Sequence, residues 1–104
     1  MQLATFTALA EPNRLRIVEF LRQGPQPVGA IANQLGLHQP QASKHLKVLN
    51  EAGLVGVKPV AQMRVYHLQP KPFKELEGWL EGYTRLWENR LDTLDSYLQE
   101  LKTS

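Results

Sequence analysis

Leu3, Phe6 and Leu9-Ala10 recur at helical spacing, which predicts a short helix over residues 2–10. Glu11-Pro12 breaks it. A second helix starts at Pro12 or Asn13, with Leu15, Ile17-Val18 and Leu21 turned inward. Gly24-Pro25-Gln26-Pro27 ends that helix, because glycine suits a helix C-terminus and proline cannot continue one. A third helix is predicted over Val28 to Leu35, with Ile31 and Leu35 inward and Gly36 closing it. A fourth runs from Gln39 to Ala52, with Pro40 in its first turn, where a missing N–H does no harm. Ala42, Leu46 and Leu49 share one face of it, and Gly53 ends it.

After Gly53 the period changes from helical to alternating. Leu54-Val55-Gly56-Val57 and Arg64-Val65-Tyr66-His67-Leu68 are β-prone runs joined by a turn-like stretch, a hairpin pattern. Pro70 and Pro72 then open a last helix reaching about Lys102. On it Phe73, Leu76, Leu80, Tyr83, Trp87, Leu91, Leu94, Leu98 and Leu101 step by three or four, and Trp79, Leu86 and Tyr97 widen the stripe.

Two short helices joined by a Gly-containing turn make a helix-turn-helix unit, and a hairpin directly behind the second makes it winged. The predicted fold class is mainly α with a two-stranded β-hairpin: a winged helix-turn-helix with a long C-terminal dimerisation helix. Residues 1–104 are read as a single domain, divided into an N-terminal dimer helix (1–10), the helix-turn-helix plus wing (12–69) and a C-terminal dimer helix (70–102). The chain has 104 residues and no cysteine, so its core is small and has no disulfide to reinforce it. A helix of about 30 residues spans roughly 45 Å, more than so small a headpiece covers. Leu3, Phe6, Trp79, Leu80, Tyr83, Trp87, Leu91, Leu94 and Leu98 are therefore the expected dimer interface. The pattern leaves parallel or antiparallel pairing open. A ligand pocket at Trp79 and Trp87 is the alternative use of those rings.

The net charge of +2 hides an asymmetry. Residues 1–69 carry seven cations and three anions, an excess of +4; residues 70–104 carry five cations and seven anions, a balance of −2. A basic front suits a polyanion partner. On the fourth helix Ser43, Lys44 and Lys47 point away from the inward face, and Gln39 and Gln41 stand near its N-terminal end. An α-helix fits the DNA major groove, where Gln can bond adenine in a bidentate way. Ser43 and the helix N-terminus suit phosphate, and Lys44 and Lys47 add charge neutralisation. Lys58 and Arg64 on the hairpin are expected to meet a flanking groove or the backbone. His45 lies at the edge of the inward face, where it bonds a backbone group or a phosphate, or packs as a structural histidine. A winged-helix module that binds protein rather than DNA is the competing class, and the outward Gln, Ser and Lys residues argue against it.

Leu9-Ala-Glu-Pro-Asn-Arg-Leu-Arg-Ile-Val-Glu-Phe-Leu21 resembles the second-helix signature of the ArsR-type (arsenic-repressor-like) winged helix-turn-helix regulators. Leu35-Gly-Leu-His-Gln-Pro-Gln-Ala-Ser-Lys-His-Leu-Lys-Val-Leu-Asn-Glu-Ala-Gly-Leu-Val55 resembles that family's recognition helix and its exit. The resemblance covers about residues 8–68 and implies a homodimeric transcription factor, usually a repressor, on a near-palindromic operator of double-stranded DNA. The chain departs from the family pattern at His38, where Ser or Thr often caps the recognition helix. It departs again at the wing tip, where Ala61, Gln62 and Met63 replace the usual Gly with neighbouring Arg.

Founding members of that family sense metal through Cys on the recognition helix or Asp and His on the last helix. Here there is no Cys, and His38, His45 and His67 all precede the last helix. Asp92 and Asp95 alone are a poor zinc site, so no metal or other cofactor is expected. No glycine-rich phosphate loop, Gly-x-Ser-x-Gly or Cys nucleophile occurs, and Ser43 and His45 are two apart on a helix and do not face each other. The chain is not expected to be an enzyme. No apolar run reaches the roughly 18 residues a membrane helix needs, and no Lys or Arg precedes Arg14 to open a signal peptide. A cytoplasmic location with no membrane partner is expected; the sequence does not name an inducer.

Overall fold

The computed structural model describes residues 2–103. Its elements are α1 (Leu3–Leu9), α2 (Pro12–Leu21), β1 (Gln26–Pro27), α3 (Val28–Leu35), α4 (Gln39–Glu51), β2 (Val55–Val60), β3 (Met63–Leu68) and α5 (Pro70–Thr103). They fall into two units, one ending at Phe73 and one beginning at Lys74.

The first unit starts with a joint at Glu11-Pro12. Pro12 occupies the first helical position of α2, where its missing N–H is harmless, and Glu11 caps the helix by accepting the Arg14 backbone N–H at 2.8 Å. The Arg14 guanidinium turns back and donates to the Ala8 and Thr7 carbonyls at 2.7 and 3.3 Å. It satisfies carbonyls that the end of α1 leaves without helical partners. Thr5 and Ala8 face inward from α1, whereas Leu3 and Phe6 are exposed.

On α2, Ile17, Val18 and Leu21 are buried as expected, but Leu15 is 46% exposed. The buried stripe passes through positions 17, 18 and 21, and Leu15 lies off its edge, beside Leu35 of α3 and Phe20. Fully buried Ile17, Ile31, Leu46, Leu49, Leu54 and Val55 draw the core from α2, α3, α4 and the start of the wing. Gly36 (φ 67°) and Gly53 (φ 78°) hold the left-handed conformation that ends α3 and turns the chain out of α4. The α3–α4 turn is therefore three residues, Gly36-Leu37-His38, fastened by the Leu37 N–H to the Ala32 carbonyl at 2.9 Å.

The expected hairpin is present, with β2 and β3 paired antiparallel from Val55↔Leu68 to Val60↔Met63. It gains a third strand: β1 pairs with β3 through Gln26↔Tyr66 and Pro27↔Val65, giving the order β1-β3-β2. Two residues are too few to show alternation, and Pro27 fits an edge, where no N–H is needed. At the wing tip Ala61 takes a positive φ of 55°. An L-residue there costs about 1–2 kcal/mol, and glycine is favoured at the first central position of such turns. Ala61→Gly gives back part of that gain through unfolded-chain entropy. The variant is expected to be more stable by up to about 1 kcal/mol in urea unfolding, and a loss of stability would contradict this reading of the turn.

The second unit is the remainder of α5. Its stripe, including Leu80, Tyr83, Trp87, Leu91, Leu94 and Leu98, stays roughly half exposed. Trp79 and Tyr83 meet edge to face with centroids 4.9 Å apart.

Candidate nucleic-acid interface

The first turn of α4 is held from its own sequence. Gln41 Oε1 accepts the His38 backbone N–H at 3.1 Å, a half of the capping-box pattern. Gln41 thus spends its acceptor on the cap and keeps its amide N–H groups as donors. Burial of Ala42, Leu46 and Leu49 fixes the rotation of the helix. That rotation brings Gln39, Ser43 and Lys47, spaced by four, along one side of a groove whose far wall carries Val57, Arg64 and Tyr66. Lys44 is exposed on the outer crest of the helix.

The wing cations separate. Arg64 pairs with Pro59 and Lys58 with Val65 in the strand register, so their side chains leave opposite faces of the hairpin. Arg64 shares the groove with Ser43 and Lys47, and Lys58 does not. His45 leaves the outward row altogether. Its Nδ1 lies 3.6 Å from Glu11 Oε2, and the ring is largely covered.

Two contacts carry no sequence signal of their own. Asn50 Nδ2 donates to the Val55 carbonyl at 3.2 Å, pinning the C-terminal half of α4 to β2. Glu51 also lines the groove and puts one carboxylate among its cations. Tyr66 and Val57 give the wing wall an apolar footing beside them.

The expected dimer residues are accessible within their own units: Leu3 and Phe6 in the first, and Trp79, Leu80, Tyr83, Trp87, Leu91, Leu94 and Leu98 in the second. A hollow on α5 is lined by Asn89, Arg90, Thr93, Leu94 and Tyr97, farther along the helix than Trp79 and Trp87. Among the described residues, no group of three or more His, Cys, Asp or Glu side chains is placed to hold a metal ion. No described helix is long and apolar enough to cross a membrane.

A short helix, a three-residue turn, a helix with a polar outer row and a β-wing behind it define a winged helix-turn-helix DNA-binding protein. The helix-turn-helix domain family matches residues 9–57, from the end of α1 into β2. The HTH-type transcriptional regulator Rv2034 of Mycobacterium tuberculosis is 42% identical over 84 residues, covering 81% of this chain and 76% of the relative. The crystal structure of the ArsR family transcriptional regulator RHA00566 superposes with a TM-score of 0.72 at 29% identity, covering 82% of this chain and 88% of that one. A solution structure from Mycobacterium bovis, described as a homodimeric winged helix-turn-helix DNA-binding domain, superposes with a TM-score of 0.66 at 28% identity. It covers 79% of this chain and 76% of that one. The chain belongs to the ArsR family of winged helix-turn-helix transcriptional regulators, a class of DNA-binding regulators and not of enzymes.

Proposed function

We propose that the protein acts in the cytoplasm as a homodimeric repressor, binding a near-palindromic operator with one α4 in each half-site. The observation that carries this is the convergence of Gln39, Ser43 and Lys47 with Arg64 on one groove, with Lys44 on the crest beside it. Gln39 reads a base edge from the first turn, and the Gln41 amide N–H groups are a second donor set there. Ser43, Lys44, Lys47 and Arg64 hold phosphate, which sets register and most of the affinity. Lys58 reaches backbone on the other side of the wing. Two copies joined through the α5 stripe, with Leu3 and Phe6 of α1 also taking part, are expected to meet half-sites roughly 34 Å apart, one turn of DNA. In this reading the rings of Trp79 and Trp87 serve assembly, and no cofactor or catalytic group enters.

Gel shifts with the DNA upstream of its own gene, at several salt concentrations, test the reading. Affinity is expected to fall steeply with salt, because each neutralised phosphate adds about 0.9 to the logarithmic slope. Lys44→Ala weakens binding to all sequences and flattens that slope by about 1 per subunit. An unchanged slope removes Lys44 from the phosphate contacts. Folded protein that shows no salt-dependent DNA binding at all would instead be a protein-binding winged helix.

A further inference from the structure

Glu51 stands against three local preferences at once. It is the last residue of α4, where the helix dipole presents its negative end, and the last turn carries no basic residue to offset it. Lys47 precedes it by four, the less favoured order for an i,i+4 ion pair. Its carboxylate makes no ion pair with Lys47 or Arg64, and no hydrogen bond to any described residue. The side chain is exposed, so the core gains nothing from it.

The same residue lies in the groove between α4 and the wing. The charged side chains lining that groove are Lys47, Arg64 and Glu51. Gln39, Ser43, Lys47 and Glu51 step by four along the α4 wall, a row about 18 Å long that Glu51 ends. Its place in the row is held by its neighbours. Asn50 Nδ2 donates to the Val55 carbonyl at 3.2 Å, and the Ala52 N–H to the Val48 carbonyl at 3.0 Å. A residue that breaks local rules with no compensating contact points to a function outside the fold.

We propose that Glu51 is a like-charge stop at the end of the phosphate track, restraining sequence-independent binding to DNA. The inference rests on α4 being the DNA-reading helix. A DNA strand held by Ser43, Lys47 and Arg64 brings phosphate toward Glu51, which stands one turn, about 6 Å along the axis, past Lys47. That is inside the Debye length of about 10 Å at 0.1 M salt, so the repulsion survives screening. Sequence-independent binding is nearly all electrostatic and has no base contact to fix where the backbone lies. A strand free to slide along the whole row meets the carboxylate. A strand whose register is set by Gln39, at the far end of the row, stays on the cationic part. An unpaired charge placed against the wrong binding mode is one way an interface gains discrimination.

Fluorescence anisotropy with a short labelled mixed-sequence duplex, at roughly 50 and 300 mM salt, tests the stop. Glu51→Gln keeps the shape and removes the charge, and its fold is checked by far-UV circular dichroism. It is expected to bind about two- to fivefold more tightly per subunit at the lower salt, the size of a Coulomb effect between charges about 8 Å apart near a wet surface. The gain is expected to shrink at the higher salt, and Glu51→Lys to gain more than Glu51→Gln. Glu19→Gln removes the same charge from the first unit at a site outside the groove, where Glu19 pairs with Arg22, and is expected to gain little. On a duplex that the wild type selects from a random pool, Glu51→Gln is expected to gain less than on the mixed sequence. Unchanged or weaker binding of the mixed duplex by Glu51→Gln overturns the proposal, as does an equal gain in Glu19→Gln or on the selected duplex. Each of these leaves α4 as the DNA-reading helix. Absence of salt-dependent DNA binding by the wild type removes that reading as well.

Discussion

Leu46→Ala is expected to destabilise the first unit by about 3–5 kcal/mol, the range for large-to-small changes at sites that cannot collapse. Leu46 is fully buried, and it is flanked by the equally buried Ile31, Leu49 and Leu54 of the same core cluster. The three-residue turn and the Asn50 bond to Val55 hold α4 from both ends, so the helix cannot settle into the space left behind. A loss of that size approaches the whole stability of a domain this small, roughly 5–10 kcal/mol. Urea unfolding followed by circular dichroism measures it. Leu15→Ala provides the contrast: although it too sits in a helical apolar pattern, it is 46% exposed and should cost under about 1 kcal/mol. Equal losses at the two sites would refute the assignment of the core.

The second large effect concerns the tail. Leu91→Glu combined with Leu94→Glu puts two carboxylates on a stripe whose leucines are 54% and 50% exposed in the single chain. Little in the folded chain depends on them, so the stability of the first unit is expected to hold. Assembly is expected to fail, because a charge buried at an apolar interface without a partner is strongly unfavourable. Light scattering should then report a monomer. Operator affinity should drop by about 10²- to 10⁴-fold, the gain that linking two binding modules provides. A dimer of unchanged mass would place the assembly interface elsewhere.

Much of the fold is written in local signals. Gly36, Gly53 and Pro40 mark the boundaries of α3 and α4, and the Ala42-Leu46-Leu49 stripe fixes which side of α4 is left for a partner. What escapes the sequence depends on contacts between distant residues. β1 exists only because Gln26-Pro27 lies beside β3, and nothing in a Gly-Pro-Gln-Pro run announces a strand. Leu15 looks inward because it is apolar, yet the burial of Ile17, Val18 and Leu21 rotates it out. The candidate site divides the same way. Gln39, Ser43, Lys44 and Lys47 follow from helical periodicity. The separation of Lys58 from Arg64 needs the strand register, and the pairing of His45 with Glu11 joins residues 34 positions apart. Gln41 could have been read from sequence as a capping residue, three positions after His38, as well as a base reader.

Both tryptophans, Trp79 and Trp87, belong to the second unit, 43% and 63% exposed, and the first unit has none. The indole emission of this protein therefore originates in the tail. A change in that emission on dilution would report the proposed self-association of the stripe, while far-UV dichroism follows the helices. The proposed assembly thus carries its own label, two indoles set along the stripe that would be covered.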